Sequence, residues 1–390
     1  MADGPAYPAN REISQWLSRE KLEPVLEPEL PIIDPHHHLW DVRRPEDICG
    51  LPKGFDGMVK AWRQKVYMLP ELLSDLYSGH RILYTVYIQV WSFHRADGPQ
   101  AFRPVGEVEF AQGVAAMCES GLYGLAWPAA GIVGLCNLAD PCVQKVLQTM
   151  RTVSRNFRGI RIPIANVTDL ESPEFLKGMS VLQNFELSCD IFLRDVAELP
   201  KVAALARRCP NATIVVDHMG SHIGPVGEAG LQKWKIDLAE VAACPNTICK
   251  VGGAQMPKCG FGFETREVPV SSEEMCDLVL PYYGYAIDCF SPQRCMFESN
   301  FPVDRASVSY RTLWNTFKRI ALVKQFSAPD KYAMFYGTAA RVYRLPNCDP
   351  VLRPLKMPES EHQTCIRSSS RSNRRSRSPV CRNRPENDPT

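Results

Sequence analysis

The sequence predicts an α/β fold, a distorted (β/α)8 TIM barrel in a single domain, and three observations lead there. Eight β-rich runs alternate with helical patterns, the order of a parallel sheet whose strands are joined by helices. Eight is the number of strands that closes such a barrel. No Gly-rich turn follows the first run, which passes instead into HHHLWD, so the main alternative, an open doubly wound sheet, is disfavoured.

In order, the runs are Pro31–His36, Ile82–Val90, Gly131–Leu135, Gly159–Ile164, Cys189–Leu193, Thr213–Asp217, Thr247–Val251 and Arg294–Glu298. Helical patterns between them include LPELLSDLYSG, VEFAQGVAAMCES, DPCVQKVLQTMRTVS, VAELPKVAALARRC, LQKWKIDLAEVAAC and SYRTLWNTFKRIAL. In the third, Val143, Val146, Leu147 and Met150 recur at helical spacing on one face. Residues 1–30 are rich in Pro and Glu and aperiodic. They read as an extended arm with a short helix around Ser14–Lys21. Residues 31–346 make the barrel. Residues 347–390 include CIRSSSRSNRRSRSPVCRNRP, too poor in apolar side chains to offset chain entropy, and are expected to be disordered.

Composition narrows the partners. Of 390 residues, 45% are hydrophobic and 23% charged, with a net charge of +2, so no overall field marks a nucleic-acid or membrane binder. The 15 cysteines form no CxxC pair, which disfavours a zinc ribbon or a thioredoxin-type site. The N-terminus lacks the basic start and apolar core of a signal peptide, which makes reduced thiols and a cytoplasmic location the expectation. A small-molecule substrate is expected, with no membrane and no nucleic acid at the barrel, and a homo-oligomer is compatible with the composition.

Four segments can carry chemistry. In Ile33–Asp41, Asp34, His36 and His38 share strand parity and His37 opposes them. At the C-terminal end of a barrel strand that face looks into the mouth, where barrel active sites lie. Two imidazoles at i, i+2 can hold one divalent metal, or grip an oxyanion if protonated; the alternative is a His-rich surface tract. The β-branched run Ile214–Val216 ends in Asp217-His218 and would deliver His218 to the same rim. On the eighth strand Glu298 and Asn300 share parity, and Glu298 is read either as a general base or as the partner of a barrel Arg. Arg161, in Gly159-Ile160-Arg161, suits a substrate carboxylate or else a surface salt bridge, and Lys250 admits the same two readings.

At these residues the chain resembles the amidohydrolase-related family, also called amidohydrolase 2, in its branch of metal-dependent hydrolases and lactonases. The resemblance is carried from about Pro31 to Leu345 by IIDPHHHLWD, SGHRILYTVYIQV, GEVEFAQGVAAM, FRGIR, VDHMG, KVGG, RCMFESNFPVD and GTAARVYRL, in order at successive strand ends. It implies that His36 and His38 are metal ligands or substrate contacts and that His218 is the family's histidine after strand six. The family's strand-eight acid falls on Asn300, and Gln89 stands where relatives often have Glu. An amide cannot take a proton from water, so the base falls to Glu298, then to Asp304. With neutral ligands only, a divalent metal would be held weakly, Zn²⁺ first because imidazoles suit it. The activity implied is opening of a lactone, or a related C–O or C–N bond, in a small carboxylated substrate. Arg161, Gln89 and Lys250 would contact that substrate. Non-oxidative decarboxylation and a non-catalytic barrel are the alternatives.

Overall fold

The structure is a computed structural model that describes residues 10–346 apart from 45–47, 49–50, 52–61, 165–169, 222 and 226. The Ser/Arg segment expected to be disordered lies outside the described residues. Eight parallel strands run side by side in chain order: β1 (Pro31–His37), β2 (Arg81–Ile88), β3 (Trp127–Gly134), β4 (Phe157–Pro163), β5 (Ser188–Phe192), β6 (Ile214–Val216), β7 (Thr247–Val251) and β8 (Cys295–Phe297). The barrel is nearly closed. The seam between β8 and β1 is stitched just past β8, where His38 N–H donates to the Phe301 carbonyl (2.7 Å) and Asn300 N–H to the His36 carbonyl (2.9 Å).

Helices cover the outside of the sheet. Those expected from the sequence are α2 (Leu69–Leu76), α3 (Val105–Glu119), α4 (Val143–Val153), α6 (Leu199–Arg208), α7 (Gly227–Ala242) and α9 (Tyr310–Val323). On α4 the apolar face is the buried one: Val143, Val146, Leu147 and Met150. The helices not singled out from sequence are α5 (Pro173–Asn184) and α8 (Ser272–Phe290). Pro281 inside α8 breaks the pattern that a sequence reading relies on. Two short C-terminal helices, α10 (Ala328–Tyr332) and α11 (Thr338–Val342), complete the domain. No helix among the described residues is long and apolar enough to cross a membrane.

The N-terminal arm begins with α1 (Arg11–Leu17), three residues earlier than expected, and then runs along α9. Leu26 N–H donates to Asn315 Oδ1 (2.9 Å), and Lys318 Nζ donates to the Leu26 carbonyl (2.6 Å). Buried carbonyls of the arm thus find donors on a barrel helix, which fixes an otherwise aperiodic segment.

Two histidines away from the barrel mouth make the fold sensitive to acid. His37, on the opposite face of β1 from His36, hydrogen-bonds Thr85 Oγ1 (2.7 Å). His80 hydrogen-bonds the Arg311 carbonyl through Nε2 (3.1 Å), with Lys318 Nζ 2.9 Å from Nδ1. Burial pushes both imidazoles down to about 3, and for His80 the Lys318 charge adds to this. The folded chain therefore keeps them neutral while the unfolded chain protonates them near pH 6.5. Their stabilisation is complete above pH 6.5 and declines as pH falls towards 3, by about 1.4 kcal/mol per pH unit for each histidine. Urea titrations at pH 7 and pH 5 should show this fall, and Thr85-compatible His37→Gln should shallow it by one proton. A pH-independent midpoint over that range would refute it.

Candidate active site

Three histidines named from sequence meet at the C-terminal ends of the strands. His36 and His38 come from the end of β1 and from just beyond it; His218 follows β6 on a turn where its own φ is 54°. His36 Nε2 and His38 Nε2 are 3.3 Å apart, and the rings of His36 and His218 are 4.7 Å apart by centroid. All three residues are buried. Asp34 does not join them. A register irregularity between Asp34 and His37 breaks the strand parity, and the Asp34 carboxylate accepts from Tyr310 Oη (3.0 Å) and Ser299 N–H (3.0 Å), pinning the seam instead.

Glu298 stands between two of the histidines. Its Oε1 lies 2.6 Å from His218 Nδ1 and its Oε2 2.7 Å from His36 Nδ1. No barrel Arg pairs with it among the described residues; its partners are imidazoles. Burial works against its charge, but His218 and His36 outweigh burial and hold the carboxyl at about 2. An ionised carboxylate only accepts, so His218 Nδ1 carries the hydrogen; His36 Nδ1 also lies 3.3 Å from Lys250 Nζ, which can only donate to it. His38 Nδ1 likewise donates to the Ile88 carbonyl (2.8 Å). His38 and His218 thus present a bare Nε2. Burial lowers the His38 pKa well below its usual value, with Arg161 adding to the effect, and burial also lowers that of His218 against the pull of Glu298.

The KVGG segment makes the room. A Cβ on Gly252 would lie 2.5 Å from Glu298 Cγ, and one on Gly253 would lie 2.7 Å from the His218 ring. Gly253 also has φ +77°, which L side chains rarely adopt.

Beneath the histidines lies a buried charge network that sequence reading largely missed. Lys250 Nζ donates to Asp190 Oδ2 (2.8 Å) and lies 3.0 Å from Asp217 Oδ1. Tyr343 Oη, just past α11, donates to the same Asp190 oxygen (2.6 Å), and Ser188 Oγ donates to Asp190 Oδ1 (2.9 Å). Burial opposes the charge on Lys250, yet Asp190 and Asp217 outweigh it and raise the ammonium's pKa. Arg161 is buried as well, which excludes the surface salt bridge. It donates to the Gln89 carbonyl, comes within 3.5 Å of His36 Nε2 and lies 3.7 Å from Asp217 Oδ2. Two buried donors there, Arg161 Nε and Gln89 Nε2, have no partner.

The structure turns Asn300 elsewhere. Its Nδ2 donates to Asp304 Oδ1 (2.8 Å), and burial raises the Asp304 carboxyl well above the usual range, against that hydrogen bond.

The comparisons agree with this architecture. The amidohydrolase family profile matches residues 33–345. The chain belongs to the amidohydrolase family. It is 29% identical over 331 residues to the uncharacterised protein y4mH of Sinorhizobium fredii, covering 81% of this chain and 99% of that one. It is 29% identical over 222 residues to an L-fucono-1,5-lactonase of Burkholderia multivorans, covering 56% of this chain and 72% of the relative. Among solved structures, a zinc-bound amidohydrolase of Burkholderia multivorans shares the fold at 24% identity with a TM-score of 0.60, covering 81% of this chain and 99% of that one.

The donor set of this amidohydrolase chain fits the metal that its family binds. The Nε2 atoms of His36 and His38 face each other at 3.3 Å. Two nitrogens each 2.0–2.1 Å from one tetrahedral zinc are themselves about 3.3 Å apart. Glu298, bonded to the far nitrogens of His36 and His218, is the kind of carboxylate that orients ligating imidazoles.

Proposed function

We propose that this amidohydrolase opens a small carboxylated lactone by attack of water, and that one observation carries the reading: an ionised Glu298 holds His218 by Nδ1, so that a basic Nε2 faces the His36–His38 pair. The likeness to an L-fucono-1,5-lactonase supports a sugar-acid lactone as the substrate class. A cavity of about 360 Å³ opens among residues that follow β1 and β2, including Asp41, Arg43, Ser92 and His94, on the rim where the histidines lie.

In this reading His218 Nε2 takes a proton from water as the water oxygen bonds to the lactone carbonyl carbon. The negative charge that develops on the carbonyl oxygen falls beside Arg161, whose buried guanidinium is already oriented. Collapse breaks the ring C–O bond, and His218 returns the proton to the leaving alkoxide, giving the hydroxy acid. Gln89 Nε2 and Arg161 Nε, the donors without partners, bind substrate oxygens. His36 and His38 would hold a divalent metal, zinc by the donor set, which when bound polarises the carbonyl. Glu298 positions the imidazoles, and in this reading His218 rather than Glu298 is the base. Asp304, kept neutral by burial, is a proton donor rather than an acceptor. Lys250 supports the site through Asp190 and Asp217 and does not reach the substrate.

A panel of sugar-acid lactones, followed by release of acid at constant pH, tests the activity. Turnover that is lost on chelation and regained with Zn²⁺ is expected. If His36 and His38 are the ligands, prolonged dialysis against chelator should strip it; retained stoichiometric metal would point instead to Glu298 joining His36 and His218, whose ligand atoms lie within 4.8 Å of one another. Release of CO₂ from a carboxylated arene, with lactones untouched, would replace the hydrolase with a decarboxylase. No turnover, together with no rise in melting temperature with Zn²⁺ or lactone, would leave a non-catalytic barrel.

A further inference from the structure

At the opposite end of the barrel, where the strands begin, a second cavity of about 240 Å³ opens beneath β4 and β5. Phe157 at the start of β4 and Leu187 before β5 form part of its wall. Four guanidiniums line it, those of Arg151, Arg155, Arg158 and Arg344, against one carboxylate, Glu186. Arg155 is taken by Glu119, which is not part of the lining. The other three come from separate parts of the chain: the last turn of α4, the first residues of β4, and the segment after α11.

Arg151 lies over the Phe185 ring, 5.1 Å from its centroid, and Glu186 is the one carboxylate of the lining. Among the described residues no carboxylate forms an ion pair with Arg151, Arg158 or Arg344. Arg158 donates through Nη1 to the carbonyls of Arg155 (2.7 Å) and Phe157 (3.0 Å), while its Nε is buried without a partner. Burial lowers the pKa of Arg158 and the nearby Arg344 lowers it further; burial likewise lowers that of Arg344, where Glu186 opposes and Arg151 adds. The three cations therefore sit close enough to destabilise one another. Helix dipoles do not explain them. A helix C-terminus offers roughly half a negative charge and acts within its last turn, which accounts for Arg151 on α4 and leaves Arg158 and Arg344 unanswered. Arg151 and Arg344 are exposed, whereas Arg158 is half-buried with its Nε out of water.

We propose that this cavity binds a small multivalent oxyanion of the phosphate class, a phosphorylated or oligophosphate molecule, remote from the histidine centre. Arginines brought to one cavity from three segments of the chain suit the several oxygens of a phosphoryl group, to which Arg forks bind in pairs. An anion carrying two or more charges removes the mutual repulsion, so its binding stabilises the fold that carries it.

The test is calorimetric titration of the full chain with pyrophosphate and with inorganic phosphate, at ionic strength held constant with sodium chloride. Melting temperatures are read in parallel. Saturable one-to-one binding is expected, with pyrophosphate tighter than phosphate and the melting temperature raised by both. Arg344→Gln should weaken binding at least tenfold while melting no lower than the parent without anion, because one repelling charge is gone. Arg151→Gln, on the outer end of α4, gives an independent second reading and should weaken binding in the same way. Lactone turnover should be unchanged in both, since the two sites lie at opposite rims. Absence of saturable heat up to millimolar pyrophosphate, or equal affinity in the parent and both variants, would overturn the proposal.

Discussion

Replacing Glu298 by Gln should leave a folded barrel that turns over lactone roughly 10²–10⁴-fold more slowly, the usual span for loss of base catalysis. The carboxylate accepts from His218 Nδ1 through Oε1 and places Oε2 2.7 Å from His36 Nδ1. An amide offers one oxygen and one NH2 group, so one imidazole must move its hydrogen to Nε2, the atom that should stay bare. A base carried in the wrong tautomer is a base lost. The volume is unchanged and Lys250 keeps Asp190 and Asp217 as counter-charges, so the melting temperature should stay near that of the parent. Zinc affinity should fall too, by about 10–100-fold, as when a partner of a ligating histidine is removed. The fall should appear in kcat rather than KM. In the parent, the rate should decline on the acid side below pH 6.5, because the His218 pKa is depressed. A base that was Glu298 itself, held at about 2, would keep the rate flat down to far lower pH. A variant with at least half the parent's activity would remove Glu298 from the mechanism.

Lys250→Met should be the most damaging single change to stability. Lys250 is fully buried and lies within 3.0 Å of both Asp190 and Asp217. Methionine fills the space but leaves two buried carboxylates facing each other, and breaking a buried pair in this way costs about 3–5 kcal/mol. The sign with pH is diagnostic. Without the ammonium the folded-state pKa of Asp190 rises further above the unfolded value, so the native state takes up a proton that the unfolded state at neutral pH does not. The deficit should therefore shrink as the pH is lowered from 7 towards 5. Asp190→Asn added to Lys250→Met should recover part of the loss. Urea unfolding of the single and double variants checks both points, and a loss below about 1 kcal/mol, the scale of an exposed pair, would show that the network is not coupled.

Much of the fold could be read in advance because a parallel barrel writes itself as short β-branched runs spaced by helices, and most strand ends fell within a residue or two. The run at 131–135 was placed late: β3 starts at Trp127, and its Pro-Ala-Ala stretch carries little β signal. The histidines were legible for a related reason. A polar pair at the end of an apolar strand has few places to go other than the rim. Asp34 was misplaced because parity assumes an unbroken pleat, and β1 bulges between Asp34 and His37. Asp190 left a faint signal, a lone carboxylate in the buried strand SCDIF, in register with Arg161 on the neighbouring strand. Tyr343 left none. Nothing in the local sequence says that a residue after the last helix reaches back into the barrel.

That reach has a bearing on how the enzyme is born. Asp190 holds Lys250, and Tyr343 closes the hydrogen-bonding around Asp190 from beyond the last helix. On a ribosome, every strand would emerge before Tyr343 does. The nascent barrel would therefore carry an incompletely satisfied carboxylate at its centre until the turn after the last helix leaves the exit tunnel, and competence would come after all eight strands rather than strand by strand. Any shortened version has to retain the chain through Leu345.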